Sequence, residues 1–173
     1  MKHRLLALLL AACTLLCLVL TSCSKSTDSN QNNSNYKDTV VWAQSADVTS
    51  MAPHIGKETA AVTVTCNIFS TLMEVIGDGD PQPLLAESYQ QLNDKDWEFT
   101  IRQGVKFHDG TTVTAEDVKY SIERCAGING DGTPLVEAFS NVDKVEIPDE
   151  STIDIYLKEA DTEFLAYLTV AIV

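Results

Sequence analysis

"WEFTIRQGVKFHDGTTVTAEDVKYSIER" occupies residues 97–124, and its hydrophobic period changes partway along. Trp97, Phe99 and Ile101 alternate with Glu98, Thr100 and Arg102, the two-residue rhythm of a strand with one buried face. Gly104 interrupts it, and Val105 and Phe107 resume the apolar pattern before "HDG", a turn signal because Asp and Gly tolerate the backbone angles of a tight reversal. Thr114 followed three residues later by Asp117 fits a capping box, and Glu116 and Asp117 sit where a helix dipole favours negative charge. Val118, Ser121, Ile122 and Cys125 then recur at helical spacing. The adjacent His108 and Asp109 therefore read as the edge of a turn, and the acids after them as caps. A catalytic pair would need a third group or a nucleophile, and none is identifiable here.

Outward from this unit, "TVVWAQ" (39–44) reads as a buried strand, and "SADVTSMAPHIG" (45–56) as a loop broken by Pro53 and Gly56. Apolar residues at helical spacing predict an amphipathic helix over 57–74, ended by the turn "GDGDPQP" (77–83). Farther on, "KVEI" (144–147) and "TIDIYLK" (152–158) bracket "PDES", which predicts a β-hairpin with Ile153, Ile155 and Leu157 on its buried face. "DTEFLAYLTVAIV" (161–173) predicts a helix capped by Asp161, and its apolar end at Val173 reads as a truncated domain.

The N-terminus predicts where the chain goes. "MKHR" is a short positive head, and residues 5–20 form an apolar core that falls short of the ~20 residues a spanning helix needs. This is export-signal architecture over residues 1–22. "LTSC" (20–23) resembles the lipobox of bacterial lipoproteins, which makes Cys23 the expected lipid attachment site. Two acyl chains, palmitate among the expected types, would anchor it stably where one would be marginal. The Ser- and Asn-rich stretch at 23–38 lacks the apolar content to order itself and reads as a flexible tether. Residues 39–173 form the expected folded body, located outside the cytoplasmic membrane: on its outer face, or the periplasmic side in a Gram-negative cell. Cys66 and Cys125 fall in different predicted helices, and isolated buried thiols are expected.

A formal charge of −13, from 12 basic and 25 acidic residues, repels phosphate backbones and argues against a nucleic-acid partner. The chain contains no HExxH, GxSxG or CxxC, so neither a hydrolase nor a metal centre has a motif to rest on.

"PLLAESY" (83–89), the 97–124 unit and "TIDIYLKEADTEFLAYL" (152–168) together resemble the extracellular solute-binding proteins of family 5, the peptide-, dipeptide- and nickel-binding components of ABC importers. The resemblance implies an α/β fold of the type II periplasmic-binding-protein kind. Its two lobes close on solute about a hinge, and the closed form docks on a membrane permease served by an ATPase. Such a protein is not an enzyme and needs no cofactor or resident metal. The similarity covers the first part of lobe I, and half a cleft cannot close. In the family the loop after the first strand contributes to the cleft wall; "TSMAPHIG" (49–56) holds that place, making Ser50, Met51 and His54 the candidate ligand-binding residues. Oligopeptides, or a related solute such as a nickel chelate, are the implied cargo. The competing readings are an exported lipoprotein hydrolase or peptidase, and a peptide-signal receptor that does not transport.

Overall fold

A computed structural model describes residues 39–172, and one compact unit runs over Ala43–Val173. The expected leader, the tether and Cys23 lie outside the described residues. In chain order the elements are α1 (Thr59–Thr65), β1 (Ser70–Thr71), β2 (Met73–Glu74), β3 (Gln82–Pro83), β4 (Ala86–Gln91) and β5 (Asp96–Ile101). There follow α2 (Ala115–Ala126), a 3-10 helix (Glu137–Asn141), β6 (Val142–Asp149), β7 (Thr152–Leu157), α3 (Phe164–Tyr167) and β8 (Ala171–Ile172).

The main sheet is antiparallel, in the order β4-β5-β7-β6. Its alternation is the one the sequence predicts. Trp97, Phe99 and Ile101 on β5 are buried, and so are Ile153, Ile155 and Leu157 on β7. The register sets Phe99 opposite Ile153 and Trp97 opposite Ile155, so the apolar side chains of both strands share one face. Trp97 also lies 6.2 Å, ring centre to ring centre, from Phe164 of α3. That links the sheet to the short helix through an aromatic contact.

Helix α2 covers the sheet beside β6 and β7. Val118, Ser121, Ile122 and Cys125 are all fully buried, one face of the helix as the spacing predicts. The Ser121 hydroxyl is satisfied by donating to the Asp117 carbonyl at 2.9 Å. The capping box is present: Asp117 N–H donates to Thr114 Oγ1 at 3.4 Å, and Thr114 N–H donates to Asp117 Oδ2 at 2.8 Å. Such a cap contributes about 1 kcal/mol. The helix ends at Gly127, where φ is 76° and a Cβ would stand 2.4 Å from the Thr133 carbonyl oxygen. Gly127 and Ile128 donate back to Arg124 and Glu123, closing the end in a Schellman arrangement that only glycine fits here.

Three sequence expectations need correction. Residues 39–44 form no strand; Val40, Val41 and Trp42 are 85%, 89% and 70% exposed. A strand needs a neighbour for its ladder, and no described strand pairs with this run. The helix expected over 57–74 stops at Thr65. Its β-branched residues weaken it, Asn67 Nδ2 and Thr63 Oγ1 turn back onto the carbonyls of Thr63 and Thr59, and antiparallel pairing of β1 with β8 draws the chain out. The apolar positions Leu72 and Met73 are still fully buried, but Met73 lies on β2 and Leu72 at the bend between β1 and β2. The helix expected over 161–173 shrinks to the four residues of α3. Asp161 Oδ1 accepts from Glu163 N–H at 2.9 Å in a local turn, and the residues after α3 lead into β8.

The solvent face of the sheet carries an unfavourable row. Glu98, Asp154 and Glu146 stand directly across from one another on β5, β7 and β6. Asp154 Oδ1 is buried without a hydrogen-bond partner. Burial first, then the carboxylates of Glu98 and Glu146, push the Asp154 carboxyl above the usual range. A raised carboxyl favours folding while protonated, and that contribution is lost as pH rises through the folded-state value. Asp154→Asn is therefore expected to stabilise the fold at pH 7 by roughly half a kcal/mol. The gain should fade as pH falls below the Asp154 titration, read as paired urea midpoints across pH. A destabilised variant at pH 7 would contradict the charge-row account.

Candidate functional site

The residues of 49–58 close into a compact loop. Thr49 donates to Glu58 Oε1 from its backbone N–H, at 3.0 Å, and from its hydroxyl. The Thr49 hydroxyl is the main reason that the Glu58 carboxyl lies below its ordinary range. Inside the loop, Ser50 Oγ accepts from Ala52 N–H at 3.1 Å, and Ile55 and Gly56 N–H both donate to the Ala52 carbonyl at 3.0 Å. Pro53 suits this reversal because its φ is already fixed.

The three candidate residues of this loop do not converge on one point. Met51 is 47% exposed and open to solvent, and Ser50 is half-buried with its hydroxyl engaged by the loop backbone. His54 is 2% exposed, with Nδ1 2.7 Å from Arg124 Nη1 in the last turn of α2. A guanidinium can only donate, so Nδ1 is the acceptor and the ring proton sits on Nε2. The exposed large apolar side chains of the loop are Met51 and Ile55, the latter 53% exposed.

Sequence reasoning missed Arg124, Glu58, Thr49 and Ile55. Arg124 reads from sequence as a cation suited to a helix C-terminus, and nothing in the spacing says that a histidine 70 residues earlier meets it. Glu58 and Thr49 carry a fainter signal, an acid just ahead of a helix with a hydroxyl a loop-length upstream.

The His108-Asp109 turn is as the sequence predicts. Phe107 N–H donates to the Thr111 carbonyl, and Gly110 N–H donates to that of Phe107. The Thr111 hydroxyl, at 2.6 Å, and its N–H, at 2.9 Å, hold the Asp109 carboxyl below its usual range. Asp109 is thus committed to its own turn. An apolar hollow of about 210 Å³ lies alongside, walled by Phe69, Leu85, Val105, Phe107, Val113 and Ile172. Among the described residues, no group of three or more His, Cys, Asp or Glu could hold a metal ion, and no helix is long and apolar enough to cross a membrane.

A profile of the family described as "Bacterial extracellular solute-binding proteins, family 5 Middle" matches residues 80–173. The chain is 36% identical over 135 residues to the "Probable D,D-dipeptide-binding periplasmic protein DdpA" of Escherichia coli (strain K12), covering 75% of this chain and 26% of that protein. It is 34% identical over 93 residues to the "Periplasmic oligopeptide-binding protein OppA" of the same strain, covering 54% of this chain and 17% of the relative. Among solved structures, the PBP AgaA from A. tumefacien R10, in complex with agropinic acid, superposes with a TM-score of 0.63 at 36% identity, over 71% of this chain and 25% of that one. The chain thus spans about a quarter or less of the length of these relatives.

One of the two thiols differs from expectation. Cys125 is fully buried, as predicted, but Cys66 is exposed just past α1, and both are free. Burial pushes the Cys125 thiol up to about 12, leaving almost no thiolate at neutral pH. On brief treatment of the native protein with iodoacetamide, peptide mapping should find Cys66 alkylated and Cys125 untouched until denaturant is added. Comparable labelling of both would contradict the buried face of α2.

Proposed function

The chain belongs to the bacterial extracellular solute-binding proteins, family 5, and from that premise we propose that it serves solute capture for an ABC importer, with oligopeptides as the cargo. The observation that carries this reading is the family match over 80–173, which spans the main sheet and α2, the frame on which loop 49–58 rests. The relatives' names point the same way in chemistry. One is described as binding D,D-dipeptides and another oligopeptides, and both solutes can be held through their main-chain amides. Capture of this kind needs shape and hydrogen bonds and no activated nucleophile, and the protein is accordingly read as a binder and not an enzyme. A nickel chelate remains a related solute class for the same architecture.

In this reading the cleft wall is formed partly by loop 49–58. Met51 supplies an adaptable apolar contact, while the Ser50 hydroxyl and the buried His54 belong to the loop's own construction. Delivery is to a permease and its ATPase. The first 22 residues export the chain, Cys23 takes the lipid, and residues 23–38 hold the body away from the outer face of the membrane.

Titration of isotope-labelled chain with a mixture of tri- to pentapeptides tests the capture reading. Because the chain spans about a quarter of its relatives, the expected affinity is weak, on the order of millimolar or about −4 kcal/mol. Saturable shifts should be concentrated at Met51 and Ile55. Uniform or absent shifts would contradict it. Separately, Cys23→Ala should move the protein from the membrane fraction to the soluble exported fraction, and an unchanged partition would overturn the anchor.

A further inference from the structure

His54 is the most buried polar side chain of loop 49–58, and one of its contacts is the 2.7 Å bond to Arg124. That bond joins the loop to the last turn of α2, across 70 residues of sequence. The rest of the loop is built to make the attachment rigid. Its ends are tied by the two Thr49 bonds to Glu58, and its interior by the bonds onto Ala52. Gly56 is pressed so close to α1 that a Cβ there would stand 2.9 Å from Ala61 Cβ and 2.9 Å from the Ser50 carbonyl oxygen. Neighbouring Met51 and Ile55 point away from this packing and are about half exposed.

We propose that His54 is a positioning residue. Through Arg124 it latches loop 49–58 onto α2, and the latch is what turns Met51 and Ile55 outward as the loop's solute contacts. Solute meets an apolar pair held in place by an internal histidine, not the histidine itself. Arg suits the partner's role because the planar fork donates from a fixed geometry, and its stem can pack while its head reaches the ring. A preset contact surface loses less conformational freedom on binding than a mobile loop would. The assignment of Met51 and Ile55 to solute rests on the capture reading above, but the latch is a property of the free protein.

The test uses the amides of Ala52, Ile55 and Gly56, which are hydrogen-bonded inside the loop. His54→Leu should speed their hydrogen exchange by roughly tenfold or more while amides of β5 and β7 stay unchanged. His54→Asn, whose side-chain oxygen can accept from Arg124 where Nδ1 does, should restore protection to within about threefold of the parent. Should His54→Leu fail to fold, Arg124→Met gives the same readout from a half-buried position, because it keeps the stem and removes the donor. In the parent protein, nitrogen shifts of His54 should report the Nε2–H tautomer. Unchanged loop exchange in Arg124→Met, an Asn variant no better protected than the Leu variant, or an Nδ1–H tautomer would each overturn the latch. Exchange requires no solute, so a silent peptide titration beside a confirmed latch would remove the capture reading alone.

Discussion

The register of β5 against β7 is the constraint on which the rest of the molecule depends. Phe99 faces Ile153 and Trp97 faces Ile155, so a slip of one residue would turn the apolar set to solvent and the acids to the interior. With the register fixed, the inner face offers a continuous apolar floor that α2 covers with Val118, Ile122 and Cys125. Fixing α2 in turn fixes Arg124, and Arg124 reaches His54 in a loop that belongs to a distant part of the sequence. A chain of contacts thus runs from strand pairing to the orientation of two exposed apolar side chains, with each step made by a named group.

The two faces of the sheet serve opposite ends. The inner face buries large apolar side chains, whereas the outer face tolerates three acids in a row across β5, β7 and β6. That row opposes folding to a modest degree, and the buried oxygen of Asp154 adds to the cost. Lys144 offsets part of it, bonding Glu146 at 2.7 Å and lying 4.2 Å from the centre of the Tyr156 ring. The acids share the sign of the chain's formal charge of −13, a sign that repels polyanions.

Much of this frame was legible in the sequence, and the reason is local. The strand 96–101, the turn at 107–111, the capped helix and the hairpin each carry their own signals within a few residues: alternation, Asp-Gly, a capping box, and paired β-branched runs. The misreadings share the opposite cause. Residues 57–74 and 161–173 have helical spacing, but β1 and β8 pair with each other across about 100 residues, and no local pattern announces that. Residues 39–44 have strand composition without a described partner. At the candidate site, Met51 and the loop itself could be read from breakers and position, whereas the inward turn of His54 could not, because it depends on a contact that only the folded chain creates. Cys66 was misjudged for the same reason as the helix that was expected to bury it.

Capture, with solute held and released unchanged, is the role proposed for this frame. The most direct measurement is native mass spectrometry of the full-length protein purified gently from cells grown on a peptide-rich medium. The account predicts discrete adducts that denaturation releases as intact oligopeptides. Cleaved or otherwise altered solute, or no adduct under any growth condition, would contradict it.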